Sequence, residues 1–362
     1  MTVDPFTPGY ELARRIRARE VSAREVLDLF LQRIRDLNPR LHAVLTIAED
    51  QAVAAAGRAG DELARGGEVG PLHRVQWPDP GDSRTMLDTG PITRTVLDAA
   101  VMLSVMAGED ARDPVSLRGG APDYVAAIDV APGPLRVAWS TAYTGYPVDP
   151  EVKDVILGVV ETFESLGHHV VEAGPETGGN LYDTYMPLYM ADEHFGYDHL
   201  LSRRPGDLDP DTVVELENAR RVTIPEYVRA SHRLAVWQRT TELFFDEHDL
   251  LITPNSPVCA FPALDPPGTI DGQVVTRDWT PHLAFLSPWN LAGNPWITVP
   301  AALSPAGLPI GALLVAAKGR EDLLFAVAAA FERERPWATR IPPLALAPPA
   351  AQAEPASTRA LA

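Results

Sequence analysis

The chain has 362 residues, 46% of them hydrophobic and 22% charged, which is length and apolar content enough for a folded core and excludes disorder throughout. A formal charge of −18 denies it the basic face that sequence-independent nucleic-acid binding requires, and no apolar run reaches the roughly 18 residues of a membrane helix. The one cysteine, Cys259, rules out an internal disulfide and a multi-thiolate zinc site, and with no signal-peptide core in residues 1–20 it fits a cytoplasmic setting.

Three helices come first. Leu12 and Ile16 lie four apart after Pro8-Gly9, and Ser22 with Glu25 forms a capping box that opens a second helix, expected to stop at Asn38-Pro39. An Ala-rich third helix over 48–65 ends at Gly66-Gly67. From Gly66 to about Thr93 no period of 2 or 3.6 holds, and so long an interruption inside a compact domain marks function, disorder or a missing piece.

A helix is expected over 94–106, a strand over 135–139, a helix over 150–166 and a strand over 169–172. This βαβ alternation argues for an α/β sheet. Residues 180–248 read as mainly helical. Leu250–Thr253 and Trp296–Val299 read as central strands, each stopped by a proline; 311–316 reads as a third strand and 321–333 as a helix. The Pro/Ala-rich stretch 341–362 reads as a disordered tail.

Residue types alone point to little chemistry. His194 and His199 are five apart, whereas helical metal pairs prefer four, so the Asp192–His199 region reads as a solvated face and no metal site is assigned. Tyr182, Tyr185 and Tyr189 form a helical stripe that reads as core packing or, more sharply, as the lining of an apolar pocket. No nucleophile elbow, phosphate loop or dinucleotide fingerprint occurs. Ser83 with His73 and Asp79 or Asp82 is a chance grouping in a polar loop, since triads are set by spatial geometry.

Two blocks carry more. Ser22–Glu25, Arg33-Ile34, Asn38-Pro39, Asp61, Leu63–Gly66 and Gly70–His73 make the first. The second comprises Leu250–Pro254, Asn290–Pro295, Thr298–Pro300, Gly307–Gly311 and Gly319–Leu324, and between the two lie Gly90–Val96, Asp98–Ala100, Ala107-Gly108 and Asp113-Pro114. In this order the chain resembles the amidase signature family. The resemblance implies an α/β fold, a mixed sheet flanked by helices, and hydrolysis of a carboxylic amide by two serines and a lysine with backbone N–H groups at the oxyanion. An amide carbonyl is a poor electrophile, which is why an activated serine and preorganised donors are needed.

At the decisive place the sequence departs from that family. Gly90 follows His73 by only 17 residues, no lysine lies near His73, and no Gly/Ser-rich run occurs anywhere. The stretch reads as an internal deletion, leaving one truncated domain over 1–340: helices in 1–66, a junction loop in 67–93, and the remaining core in 94–340, with a sheet incomplete at its centre. No catalytic residue is therefore assigned. Lys153 and Lys318, the only lysines among 31 basic residues, both read as exposed and poor substitutes for the lost base. Leu313 stands where the family usually has glutamine. The expected partners are a small amide ligand and, through exposed sheet edges, another copy of the chain; no cofactor, nucleic acid or membrane is implied.

Overall fold

The computed structural model describes residues 3–66, 90–109, 119–203, 205–208, 210–262, 265–275 and 283–346. His73, Asp79, Asp82, Ser83 and most of the junction loop lie outside them. The described residues fall into two compact units, one within Met1–Val75, Ile92–Met106 and Trp337–Ala362, the other within Gln76–Pro91 and Ala107–Pro336.

In the first unit α1 (Gly9–Arg17), α2 (Ala23–Leu41), α3 (Glu49–Ala64) and α4 (Val96–Met106) are helical. The capping box is present: the Ser22 hydroxyl accepts from the Glu25 N–H, and the Glu25 carboxylate accepts from the Ser22 N–H. The helix α2 does not stop at Pro39 as expected but runs to Leu41 and ends at His42, a left-handed residue (φ 48°). Proline removes only one late backbone donor there, and Asn38 closes the end by exchanging two side-chain hydrogen bonds with Val44, each 2.8 Å. Asp98 of α4 accepts from the Gly9 and Tyr10 N–H groups, which satisfies free donors at the start of α1. Arg94 donates to the carbonyls of Phe6 and Ala338, and the Trp337 indole donates back to the Arg94 carbonyl at 2.9 Å. A short helix, Pro343–Leu346, stands inside the stretch read as a disordered tail.

The second unit is built on a five-stranded sheet of β1 (Arg136–Trp139), β2 (His169–Glu172), β3 (Leu250–Pro254), β6 (Trp296–Leu303) and β7 (Pro309–Val315), in the order β2-β1-β3-β7-β6. The first three strands are mutually parallel, and β7 is antiparallel to both β3 and β6. A two-stranded hairpin, β4 (Thr269–Ile270) and β5 (Gln273–Val274), stands apart. The helices are α5 (Tyr124–Ala127), α6 (Pro150–Ser165), α7 (Tyr182–Arg203), α8 (Pro210–Ala219), α9 (Ile224–Glu247), α10 (Ser287–Ala292) and α11 (Glu321–Glu334).

The strand β3 is central, as its apolar run predicts, and all five of its residues are buried. The second expected central strand is not central. Within the described sheet β6 is the outer strand, and it continues past Pro300 through an irregularity between Pro300 and Ala302. An outer strand can carry a proline because one side of its ladder needs no donor, and the irregularity absorbs the mismatch.

Directly paired residues share a face. Ala138, Leu251, Val315 and Trp296 form such a row beneath an aromatic cluster from α7, α9 and α10 that includes Tyr185, Trp237, Phe245 and Trp289. Trp237 is 1% exposed and donates its indole N–H to the Pro288 carbonyl at 2.7 Å, tying α9 to α10. The opposite face packs against α6 and α11, where Phe163 stacks on Phe331 at 5.9 Å.

His168 precedes β2 and is buried, with its Nδ1 accepting the Leu135 N–H at 3.3 Å. Burial holds its pKa below 6.5, so the unfolded chain takes up a proton at a higher pH than the folded one. Its neutral form therefore contributes stability above about pH 6.5 that is lost as pH falls below that value. Melting temperature measured from pH 7.5 to 5 should fall in the wild type, and this fall should be shallower in His168→Gln, which keeps an acceptor that does not titrate.

Candidate functional site

In open α/β sheets ligands gather beyond the carboxyl ends of the parallel strands, where the loops converge. Here the loops after β1 and β2 and the last residues of the hairpin enclose a cleft of about 550 Å³, with Tyr143, Thr144, Tyr146, Thr177, Asn180 and Val274 on its walls.

Local sequence explains the shape of each wall. The Ser140 hydroxyl, at the end of β1, accepts from the N–H groups of Ala142 and Tyr143, both at 3.1 Å, and turns the chain out of the strand. Gly145 closes the turn at φ 75°. After β2, the Asn180 side chain accepts the Tyr182 N–H at 2.9 Å, so a cleft residue also caps the start of α7. The two loops touch at Gly174. A Cβ there would lie 2.7 Å from Tyr143 Cβ and 3.2 Å from Ser140 Cβ, so only glycine fits.

Beneath the β1 loop, Tyr143 rests against Phe285 and Trp289, each ring 5.7 Å away. Burial pushes its phenol above the usual tyrosine range, with the Trp289 indole acting weakly in the opposite direction. The phenol is thus a neutral group at working pH, and neither it nor the Trp289 N–H has a hydrogen-bond partner at full geometry. Thr253 of β3, Leu313 of β7 and Thr298 of β6 form one row on this face. Thr253 is fully buried with an unpartnered hydroxyl, while Thr298 donates to the Asn255 side-chain oxygen at 2.8 Å. Leu313, fully buried between them, fills with an apolar side chain the position at which the resemblance implies glutamine.

The tyrosine stripe lies on α7 but does not line this cleft. Tyr185 is 5% exposed and stacks on Tyr189 at 5.3 Å within the aromatic cluster, while Tyr182 is half-buried. Sequence reasoning passed over the loop residues that do line it. A recognisable signal was present in Thr144-Gly145-Tyr146-Pro147 directly after a parallel strand, and in Asp271-Gly272 between short β-prone runs.

Neither lysine meets a hydroxyl in the pairs it forms. The Lys153 Nζ lies 2.7 Å from Asp271 and that of Lys318 lies 2.8 Å from Glu242, all four side chains being at least a third exposed. The Cys259 thiol donates to Glu151 at 3.4 Å; burial and that carboxylate push its pKa up to about 11. Asp198, from the histidine-containing stretch, is paired with Arg220. Among the described residues no three His, Cys, Asp or Glu side chains converge as a metal site, and no helix is long and apolar enough to cross a membrane.

The second unit is thus a mixed α/β sheet with a loop-walled cleft beyond its parallel strands. Residues 81–325 match the amidase family model, and the chain belongs to that family. It is 35% identical over 259 residues to an acylamidase of Rhodococcus erythropolis, covering 70% of this chain and 53% of that one. It is 30% identical over 271 residues to the 6-aminohexanoate-cyclic-dimer hydrolase of Paenarthrobacter ureafaciens, covering 70% and 55%. The chain thus spans about half the length of the curated relatives it matches. Its fold is similar to that of a bacterial aryl acylamidase, at TM-score 0.80 and 18% identity over 92% of this chain and 97% of that one.

Two outcomes follow from this geometry. Gly174→Ala sets one backbone-anchored Cβ against two others, so it should destabilise the protein by about 1–3 kcal/mol in denaturant melts. With a pKa near 11, Cys259 should react with iodoacetamide at pH 8 at least about tenfold more slowly than a free cysteine, and Glu151→Gln should raise that rate.

Proposed function

We propose that the chain descends from an amide C–N hydrolase and, as it stands, binds a small amide in the cleft without hydrolysing it by the two-serine and lysine route. The observation that carries this reading is the passage from His73 to Gly90 in 17 residues with no lysine and no Gly/Ser-rich run. The chemistry requires an activated hydroxyl, a base and donors at the oxyanion together. The two lysines that remain are each engaged by a carboxylate from another element. A small amide suits the cleft, whose walls offer Tyr146 and Val274 for apolar contact and the hydroxyls and amide of Thr144, Thr177 and Asn180 for hydrogen bonds. The relatives' names point to the same ligand class.

The same reading places the protein in the cytoplasm, where a lone thiol such as Cys259 stays reduced. It also includes self-association through the outer strands β2 and β6, each paired on one side only within the described sheet.

Acetanilide and 4-nitroacetanilide test the proposal directly. Calorimetry with acetanilide should give saturable binding, and 4-nitroaniline release should not exceed that in buffer. Turnover abolished by a serine-directed sulfonyl fluoride would overturn the reading. A second reading, that the gene holds a segment this chain lacks, is favoured by the chain spanning about half the length of its relatives. Sequencing the DNA across codons 66 to 95, with an intact-mass measurement, decides between the two.

A further inference from the structure

One of the two lysines sits where it can shape the cleft. The hairpin that supplies Val274 and Val275 to one wall pairs Thr269 with Val274 and Ile270 with Gln273, leaving Asp271 and Gly272 as its two-residue turn. Both turn residues have positive φ, 48° and 72°, the conformation that Asp-Gly favours in tight hairpins. Two strands of two residues cannot hold themselves together in water. Ile270, 1% exposed, anchors the hairpin to the body of the unit. At the turn itself, the Asp271 carboxylate receives Lys153 Nζ at 2.7 Å.

Lys153 stands on rigid ground. It lies in the first turn of α6, beside Val152 and one turn from Ile156, both fully buried. This helix is also the continuation of the opposite wall: the cleft loop ends at Pro147, Asp149 caps α6, and the Asp149 N–H donates to the Pro257 carbonyl beyond β3. The ion pair therefore links the hairpin wall to the element that carries the β1-loop wall.

We infer that Lys153 is a positioning residue of the cleft, holding the β4–β5 hairpin as its second wall through Asp271. Its effect on ligand affinity rests on the small-amide reading above. A half-exposed pair of this kind shifts an equilibrium by about two- to fivefold.

Two variants and their combination test this. Lys153→Met keeps the aliphatic stem, and Asp271→Asn keeps a side chain suited to the left-handed turn, so each removes charge without removing shape. Hydrogen exchange of the 270–275 amides, followed by mass spectrometry, should be about two- to fivefold faster in either single variant and no faster in the double variant. Raising the salt to 0.5 M should speed exchange in the wild type and leave Lys153→Met unaffected. In calorimetry, acetanilide should bind about two- to fivefold more weakly to each single variant, with melting temperature unchanged. Unchanged exchange in both single variants, or additive effects in the double, would overturn the role of Lys153. Exchange that responds as expected in a protein that binds no acetanilide would uphold the hairpin contact and sink the small-amide reading instead.

Discussion

The pairing of β1 with β3 is the constraint on which the rest of the second unit depends. Asp249 and Arg136 lock its amino end: the Asp249 carboxylate accepts from the Arg136 N–H at 2.8 Å and from its guanidinium at 2.7 Å, while the Asp249 N–H donates to the Arg136 carbonyl. The Arg136 guanidinium holds the Asp249 carboxyl below the usual carboxylate range. At the other end the Ser140 N–H donates to the Ile252 carbonyl and carries the ladder one residue beyond the strand. A slip of one position would break the Arg136–Asp249 exchange at one end and the Ser140 bond at the other, and these contacts fix the register. With the register fixed, the Ser140 turn, the Gly174 contact and the start of α6 all fall at the same end of the sheet. The cleft is a consequence of that alignment.

The motifs that carry the family resemblance do structural work around β6 and β7. Gly293 ends α10 in the left-handed conformation, at φ 76°. Asn294, buried, donates to the Ala316 carbonyl and so fixes the turn into β6 against the end of β7. Gly311 admits the close approach of Thr298 and Asn255, since a Cβ there would come within 2.9 Å of the threonine methyl. In the first unit Arg94 joins two chain segments through backbone carbonyls. None of these roles requires a reacting group. Family membership is therefore written in residues that set backbone conformation and packing.

The same distinction explains what the sequence made legible. Helices announced by a capping box or by strong periodicity, such as α2 and α6, and a strand that is apolar throughout, such as β3, follow from local chemistry and were readable from it. Whether β6 is central or outer is a property of its neighbours, and no pattern within Trp296–Val299 records it. Pro300 misled for the same reason, because a proline ends a strand only where both sides of the ladder need donors. The tyrosine stripe had the correct period, and Tyr185 and Tyr189 pack in the aromatic cluster as the core reading expects. The cleft was least legible, since it is assembled from loops after two strands and a hairpin about a hundred residues further on.

Lysine shows how far chemistry follows from placement. As a base it must be a neutral amine beside a hydroxyl in a site that excludes water. Lys153 and Lys318 instead bridge elements: α6 to the hairpin turn, and the end of β7 to α9. Each is held by a carboxylate from another element with no hydroxyl in the pair, which is the placement of a connector. A lysine that serves as a base needs the reverse placement, a buried position beside a hydroxyl with no carboxylate to hold its charge.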